Sequence, residues 1–103
     1  MGGAIVMVFL TVPVEARVQT LEALDSDNAI AGFPGSVATT AASYVESERT
    51  QREDAELILV SARVDAAPTP SLAGDFWRAV ESTLFRGGVS AVESMTAYAV
   101  PEA

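Results

Sequence analysis

Residues Ile5–Leu10 read IVMVFL, inside the longer run Gly2–Pro13, GGAIVMVFLTVP. Thr11 is the first polar side chain, and Pro13 closes the run. Three structures accept so apolar a stretch: a secretory leader, a membrane span, or a strand covered on both faces. A leader needs a basic start, and nothing before Arg17 is basic. A membrane helix needs about twenty apolar residues, and this run breaks well short of that. Ile, Val and Phe at this density favour a strand. Successive strand side chains point to opposite faces. Both sets are apolar here, so the pattern predicts a central strand in a sheet buried on both sides.

Composition bounds what such a sheet could serve. The chain has 103 residues, enough for one domain spanning 1–103 with a modest core. Half of it is hydrophobic, which excludes general disorder. Fourteen acidic residues stand against six basic ones, all Arg, for a net charge of −8. That balance, without a basic cluster, argues against nucleic acid and against an anionic membrane surface. With neither leader nor span in view, the cytoplasm is the expected location. Cys and His are both absent. A disulfide framework, a thiolate zinc site and a Ser-His-Asp triad are therefore impossible. No metal or cofactor is expected. Chemistry would fall to Asp, Glu, Tyr, Arg, Ser or Thr.

Outward from the first strand (Ala4–Val12), the spacing predicts a helix over 14–25. Val14, Val18, Leu21 and Leu24 form its apolar stripe, with Glu15, Arg17, Gln19 and Glu22 opposite. DSDN (Asp25–Asn28) reads as a turn. It resembles the start of a calcium loop but lacks the later Gly and Glu. FPGS (Phe33–Ser36) carries a Pro-Gly turn signal. A second strand, Ser36–Glu46, is small and rich in Ser and Thr. SERTQRED (Ser47–Asp54) reads as a solvated hairpin tip. The third strand, Glu56–Val64, is apolar on both sides through Val60.

Thr69 as N-cap and Pro70 at the first helical position predict a second helix. Its stripe is Leu72, Phe76, Val80 and Leu84, with Ala73 and Trp77 beside it. Arg86 suits the helix C-terminus, and Gly87–Gly88 end it. A fourth strand is expected over Val89–Val100, closed by Pro101.

The order is βαββαβ, an α+β chain. In the ferredoxin-like arrangement the first and third strands lie centrally. Those are the two apolar strands here. Two helices cover one face of an antiparallel four-stranded sheet, so the other face also needs cover. A second copy of the same sheet supplies it most simply, which predicts a homo-oligomer, most readily a dimer.

With those parts named, the chain resembles the dimeric α+β barrel superfamily. The resemblance rests on the apolar first strand, FPGSVATTAASYV, ELILVSARV, the FWRAV helix and GGVSAVESMTAYAVP. It covers most of the chain by pattern. Members include antibiotic-biosynthesis monooxygenases, small polyketide cyclases, stress-responsive barrel proteins and ligand-binding domains of Lrp-type regulators. The resemblance implies a cavity between sheet and helices and, in several members, catalysis without metal or cofactor. It thereby implies a small enzyme that oxygenates or cyclises a bulky, polyketide-like aromatic substrate. Two departures stand out. The monooxygenases usually offer a Trp on a strand near the cavity, whereas Trp77 falls on a helix. The cyclases often use a His, and none is present. The order also resembles the trimeric signalling proteins of the PII kind, although no Gly-rich nucleotide loop or Lys supports that version.

The candidate site residues follow, each beside its plainer role. Trp77 and Phe76 point about 100° apart on the helix. Either could line a cavity for a flat ligand, or simply pack in the core. Tyr44 and Tyr98 could hydrogen-bond a ligand oxygen, or make cross-strand contacts. Arg63 and Asp65 could orient a polar ligand, or form a solvated strand end or an intersubunit ion pair. Glu93, expected mid-strand beside Ala91, Met95, Ala97 and Ala99, is the leading acid–base candidate. A carboxyl enclosed by apolar neighbours is pushed towards its neutral form and suits proton transfer. Its plainer role is an exposed edge or an Arg pair; Glu46 is a weaker version of the same idea. The small residues of the second and fourth strands would either pack closely or leave room for a flat, apolar molecule. The alternatives to an enzyme are a non-catalytic ligand-binding or sensor module and a purely structural oligomerisation module.

Overall fold

The computed structural model describes residues 3–26, 36–45 and 54–102. β1 (Ala4–Pro13) leads through a 3-10 turn (Val14–Ala16) into α1 (Arg17–Ser26). β2 (Ser36–Val45), β3 (Ala55–Val64), α2 (Pro70–Arg86) and β4 (Ser94–Pro101) follow. The fold is α+β: β3, β1 and β4 form an antiparallel sheet carrying two helices, an arrangement compatible with the ferredoxin-like layout. β2 pairs antiparallel along the outer side of β3, with register shifts between Ser36 and Ala38 and between Thr40 and Ser43.

The opening run is a central strand. β1 is hydrogen-bonded to β3 on one side and β4 on the other. Its alternate residues Ala4, Val6, Val8, Leu10 and Val12 are fully buried beneath the helices. Register carries this layer sideways: Val8 pairs with Val60 and Ala97, and Leu10 pairs with Ile58 and Met95. Phe76, Val80 and Leu84 of α2 and Leu24 of α1 close the core from above. Each such side chain contributes about 1.5–3 kcal/mol when fully buried. Two buried threonines, Thr20 and Thr83, keep their hydroxyls satisfied by donating to the carbonyls of Ala16 (2.7 Å) and Ala79 (2.9 Å) one turn earlier.

Among the described residues, the other face of the sheet carries no helix. Ile5, Met7 and Phe9 lie there, in register with Arg63, Ser61 and Leu59 on one side and Val100, Tyr98 and Thr96 on the other. Phe9 and Tyr98 meet edge to face, centroids 6.0 Å apart and planes at 72°. The diagonal aromatic contact is typical of cross-strand neighbours. Leu57 and Leu59 extend this apolar patch, and Tyr98 is 51 % exposed.

α2 forms as its caps predict. The Thr69 side chain accepts from the Leu72 N–H at 3.0 Å, and Pro70 begins the helix. At the other end Gly88 takes a φ of 77°, where an L side chain is strained. Gly87 lies so close to Ala23 that an added Cβ would overlap it. The missing side chain lets the end of α2 approach α1.

Two expectations need correction. The predicted stripe of the first helix holds only in its second half: Leu24 is buried and Leu21 packs against the core, but Val14 and Val18 are 44 % and 61 % exposed, and Ala16, Thr20 and Ala23 face inward in their place. The tighter 3-10 turn before α1 advances the chain by about 120° per residue and rotates the helix that follows. The fourth strand begins at Ser94, not Val89. Residues 89–93 instead bind the end of α2 to the sheet. Val89 is buried and donates to the Leu84 carbonyl at 2.9 Å, and Glu93 donates its N–H to Thr11 at 2.8 Å.

Candidate functional site

The candidate site forms where α2 passes over β4. Turning from its core stripe, α2 presents Pro70, Gly74, Trp77, Glu81 and Phe85 at helical spacing. Facing them are Val89, Val92 and the start of β4. Between these walls lies a cleft of about 400 Å³, lined by Trp77, Leu84, Phe85, Val89, Val92 and Met95, with Glu81, Ser90, Glu93 and Ser94 supplying polar groups. A second hollow of about 450 Å³ continues along β4 past Ala73, Gly74, Ala97 and Tyr98. Trp77 and Met95 line both.

Trp77 holds the centre. Its indole Nε1–H donates to the Met95 carbonyl at 3.0 Å, which fixes the ring against β4. The remainder of the ring forms cleft wall. Phe76, the adjacent residue, has a different fate: it is fully buried and belongs to the core. Phe85, 82 % exposed, stands at the mouth of the cleft. An aromatic side chain left in water beside an apolar cleft is a ready contact for a ligand.

Glu93 lies on the cleft, but not as expected. It precedes β4 and is exposed, so the apolar enclosure read from the sequence is missing. The enclosed carboxylate among the described residues is Glu56, 6 % exposed and in register with Val12. One of its oxygens, Oε2, is buried and accepts no hydrogen bond. Glu56 does not line the cleft. Nothing in the ELILVSARV pattern sets Glu56 apart from an ordinary solvated strand start.

The other candidates are scattered. Tyr98 lines the second hollow, with its ring against Phe9 on the helix-free face. Tyr44 is in register with Ile58. Arg63 pairs through Nε with Glu102 at 2.6 Å, not with Asp65, which is exposed beyond the end of β3. Neither Arg63 nor Asp65 lines either hollow. Glu46, Asp27 and Asn28 lie outside the described residues, as does all of SERTQRED but Asp54. Among the described residues, no group of three or more carboxylates is arranged to hold a metal ion.

Glu81, Phe85 and Met95 were not singled out from the sequence. Glu81 and Phe85 lie one and two turns beyond Trp77, so the helical spacing from Trp77 carried the signal. Among the described residues, no helix is long and apolar enough to cross a membrane. No protein-family model matches the chain, and no curated protein matches it in sequence.

Proposed function

We propose that the chain binds a flat, largely apolar small molecule in the cleft between α2 and β4. It would do so as a ferredoxin-like βαββαβ protomer of a dimeric α+β barrel. The observation that carries the binding proposal is the cleft itself: about 400 Å³, mostly apolar, with an anchored indole as one wall. Pockets of this size and lining suit small molecules, and a fixed aromatic ring selects flat ones. The dimer proposal rests on the sheet face opposite the helices, where the half-buried Ile5, Met7, Phe9, Leu57 and Leu59 have no helix over them among the described residues.

A catalytic reading adds one element. Glu93 lines the same cleft as Trp77, so a carboxylate faces whatever binds there. It could take or return a proton during a cofactor-independent oxygenation or cyclisation of a polyketide-like aromatic. The test separates the two readings. Trp77 is the only Trp, so its fluorescence reports the cleft alone. Titration with a panel of hydroxylated polycyclic aromatics is expected to quench it saturably. A panel without quenching or thermal stabilisation would refute the binding proposal. If a bound member is turned over, Glu93→Gln should retain binding and lose rate. A variant that binds and turns over like the parent would refute the role of Glu93 while leaving the binding proposal intact.

A further inference from the structure

Charge divides the groove beside β4 into two unlike halves. The second hollow, from Pro70 past Gly74 and Ala97 to Tyr98, is lined by no charged side chain. The cleft on the other side of Trp77 is lined by Glu81 and Glu93, both acidic, and no Arg among the described residues lines it. Its remaining polar side chains, Ser90 and Ser94, are hydroxyls that accept as well as donate. The Trp77 Nε1–H, a donor only, is already spent on the Met95 carbonyl at 3.0 Å.

The available charge is that of Glu81. Glu93 already takes part in interactions within the chain. The Glu81 carboxylate makes no ion pair or hydrogen bond with the described residues. The cations near it on α2 are committed elsewhere: Arg78 pairs with Asp75 at 2.8 Å, and Arg86 donates to the Ser82 hydroxyl at 2.8 Å. Glu81 lies one turn beyond Trp77, so carboxylate and indole share one wall of the cleft. α2 ends at Arg86, beside this same cleft, and a helix C-terminus presents partial negative charge. The face of an indole is negative too, and attracts cations. Carboxylate, helix end and ring face favour one sign of ligand.

We infer that the molecule taken up by the cleft is a flat aromatic cation, its protonated amine held between Glu81 and the Trp77 ring. This rests on the small-molecule reading of the cleft and adds the charge of the ligand. The apolar body would lie along Trp77 and Met95 towards the uncharged second hollow, which both residues also line. Phe85 would flank the ammonium at the mouth. An anion of the same shape would meet like charge and find no cationic side chain in the lining. Glu81 is exposed, so its share is modest, up to about fivefold in affinity. A cation on a partly exposed ring gains about as much again, and the two together give about tenfold. The indole is already fixed, so no further ordering of the ring opposes that gain.

The test uses the intact chain and a set of bicyclic probes of one shape: naphthylmethylamine, naphthylmethanol and naphthoate. Trp77 is the only Trp, so its indole N–H gives a single NMR resonance, whose shift places a probe in the cleft. At neutral pH the amine is expected to bind about tenfold more tightly than the alcohol, with naphthoate weakest. Salt at about 0.5 M should shrink that preference. Glu81→Gln should remove most of it. Glu22→Gln, which deletes the same charge at an exposed position of α1 away from the cleft, should leave it in place. Equal binding of amine and alcohol, or tightest binding of naphthoate, would overturn the inference and leave the small-molecule reading standing. Equal loss of preference in Glu81→Gln and Glu22→Gln would assign it to net charge and overturn the inference as well. If no probe moves the Trp77 resonance at millimolar concentration, the inference and the reading beneath it both fall.

Discussion

Phe76→Ala and Trp77→Phe perturb neighbouring residues of α2 and should fail in different ways. Phe76 is fully buried against the sheet, with Val80 and Leu84 on the same stripe. Its truncation removes transfer energy and leaves a cavity, together about 3–5 kcal/mol. A domain of this size holds about 5–15 kcal/mol in all, so the variant should be marginal. With a urea slope of about 1–3 kcal/mol/M, the midpoint should fall by roughly 2 M. Trp77 is half-buried and contributes one hydrogen bond, to the Met95 carbonyl. Trp77→Phe keeps an aromatic wall, loses that bond and should cost about 1 kcal/mol. Urea melts followed by circular dichroism measure both, because the second variant has no Trp to report. The reasoning fails if Phe76→Ala melts within about 1 kcal/mol of the parent, or if Trp77→Phe is the more damaging of the two.

Three further outcomes follow from single contacts. Thr69→Ala should cost about 1 kcal/mol by thermal melt, and Thr69→Ser should recover most of it, because the oxygen that accepts from Leu72 returns. Gly87→Ala forces a methyl onto Ala23 and should destabilise by about 1–3 kcal/mol, with part of the loss regained in a Gly87→Ala/Ala23→Gly double variant. Arg63→Gln removes the pair with Glu102, but Arg63 is 53 % exposed, so the loss should stay below about 1 kcal/mol and shrink further in high salt.

The sequence disclosed those parts of the fold whose signals are local. IVMVFL marked a central strand because both of its side-chain sets were apolar, and the structure shows one set under the helices and the other, half-buried, on the opposite face. Thr69, Pro70 and the Gly87–Gly88 pair bounded α2 because caps act within one turn. The first half of the first helix was misphased, with Val14 and Val18 outward but Leu21 and Leu24 inward, because its packing depends on a 3-10 turn that the Val14–Val18 spacing does not encode. Its inward residues are small: Ala16, Thr20 and Ala23 let α1 lie close to the end of α2, a demand set by Gly87 far away in sequence. VSAVE at 89–93 looked like strand because Val89 and Val92 run without a break into the β-favouring stretch that follows. Val89 spends its amide on the turn of α2 instead, and the ladder starts five residues later.

The site was legible in one residue and blurred elsewhere. Trp77 belongs to the cleft wall, while Phe76 differs from it only by a rotation about the helix axis, which separates core from groove. Arg63 and Asp65 share a strand spacing, yet the tertiary partner of Arg63 is Glu102 at the far end of the chain. Glu93 reached the cleft from a connecting segment, because the strand that was to enclose it had not begun.

The central claim is that the sheet face opposite the helices is covered by a second copy. Light scattering on the eluting peak of a sizing column measures this directly at micromolar protein. The account predicts a native mass of twice the 10.7 kDa chain. A monomer would contradict it, since Ile5, Met7 and Phe9 would then face water, and a trimer would contradict the two-sheet barrel in favour of a different assembly.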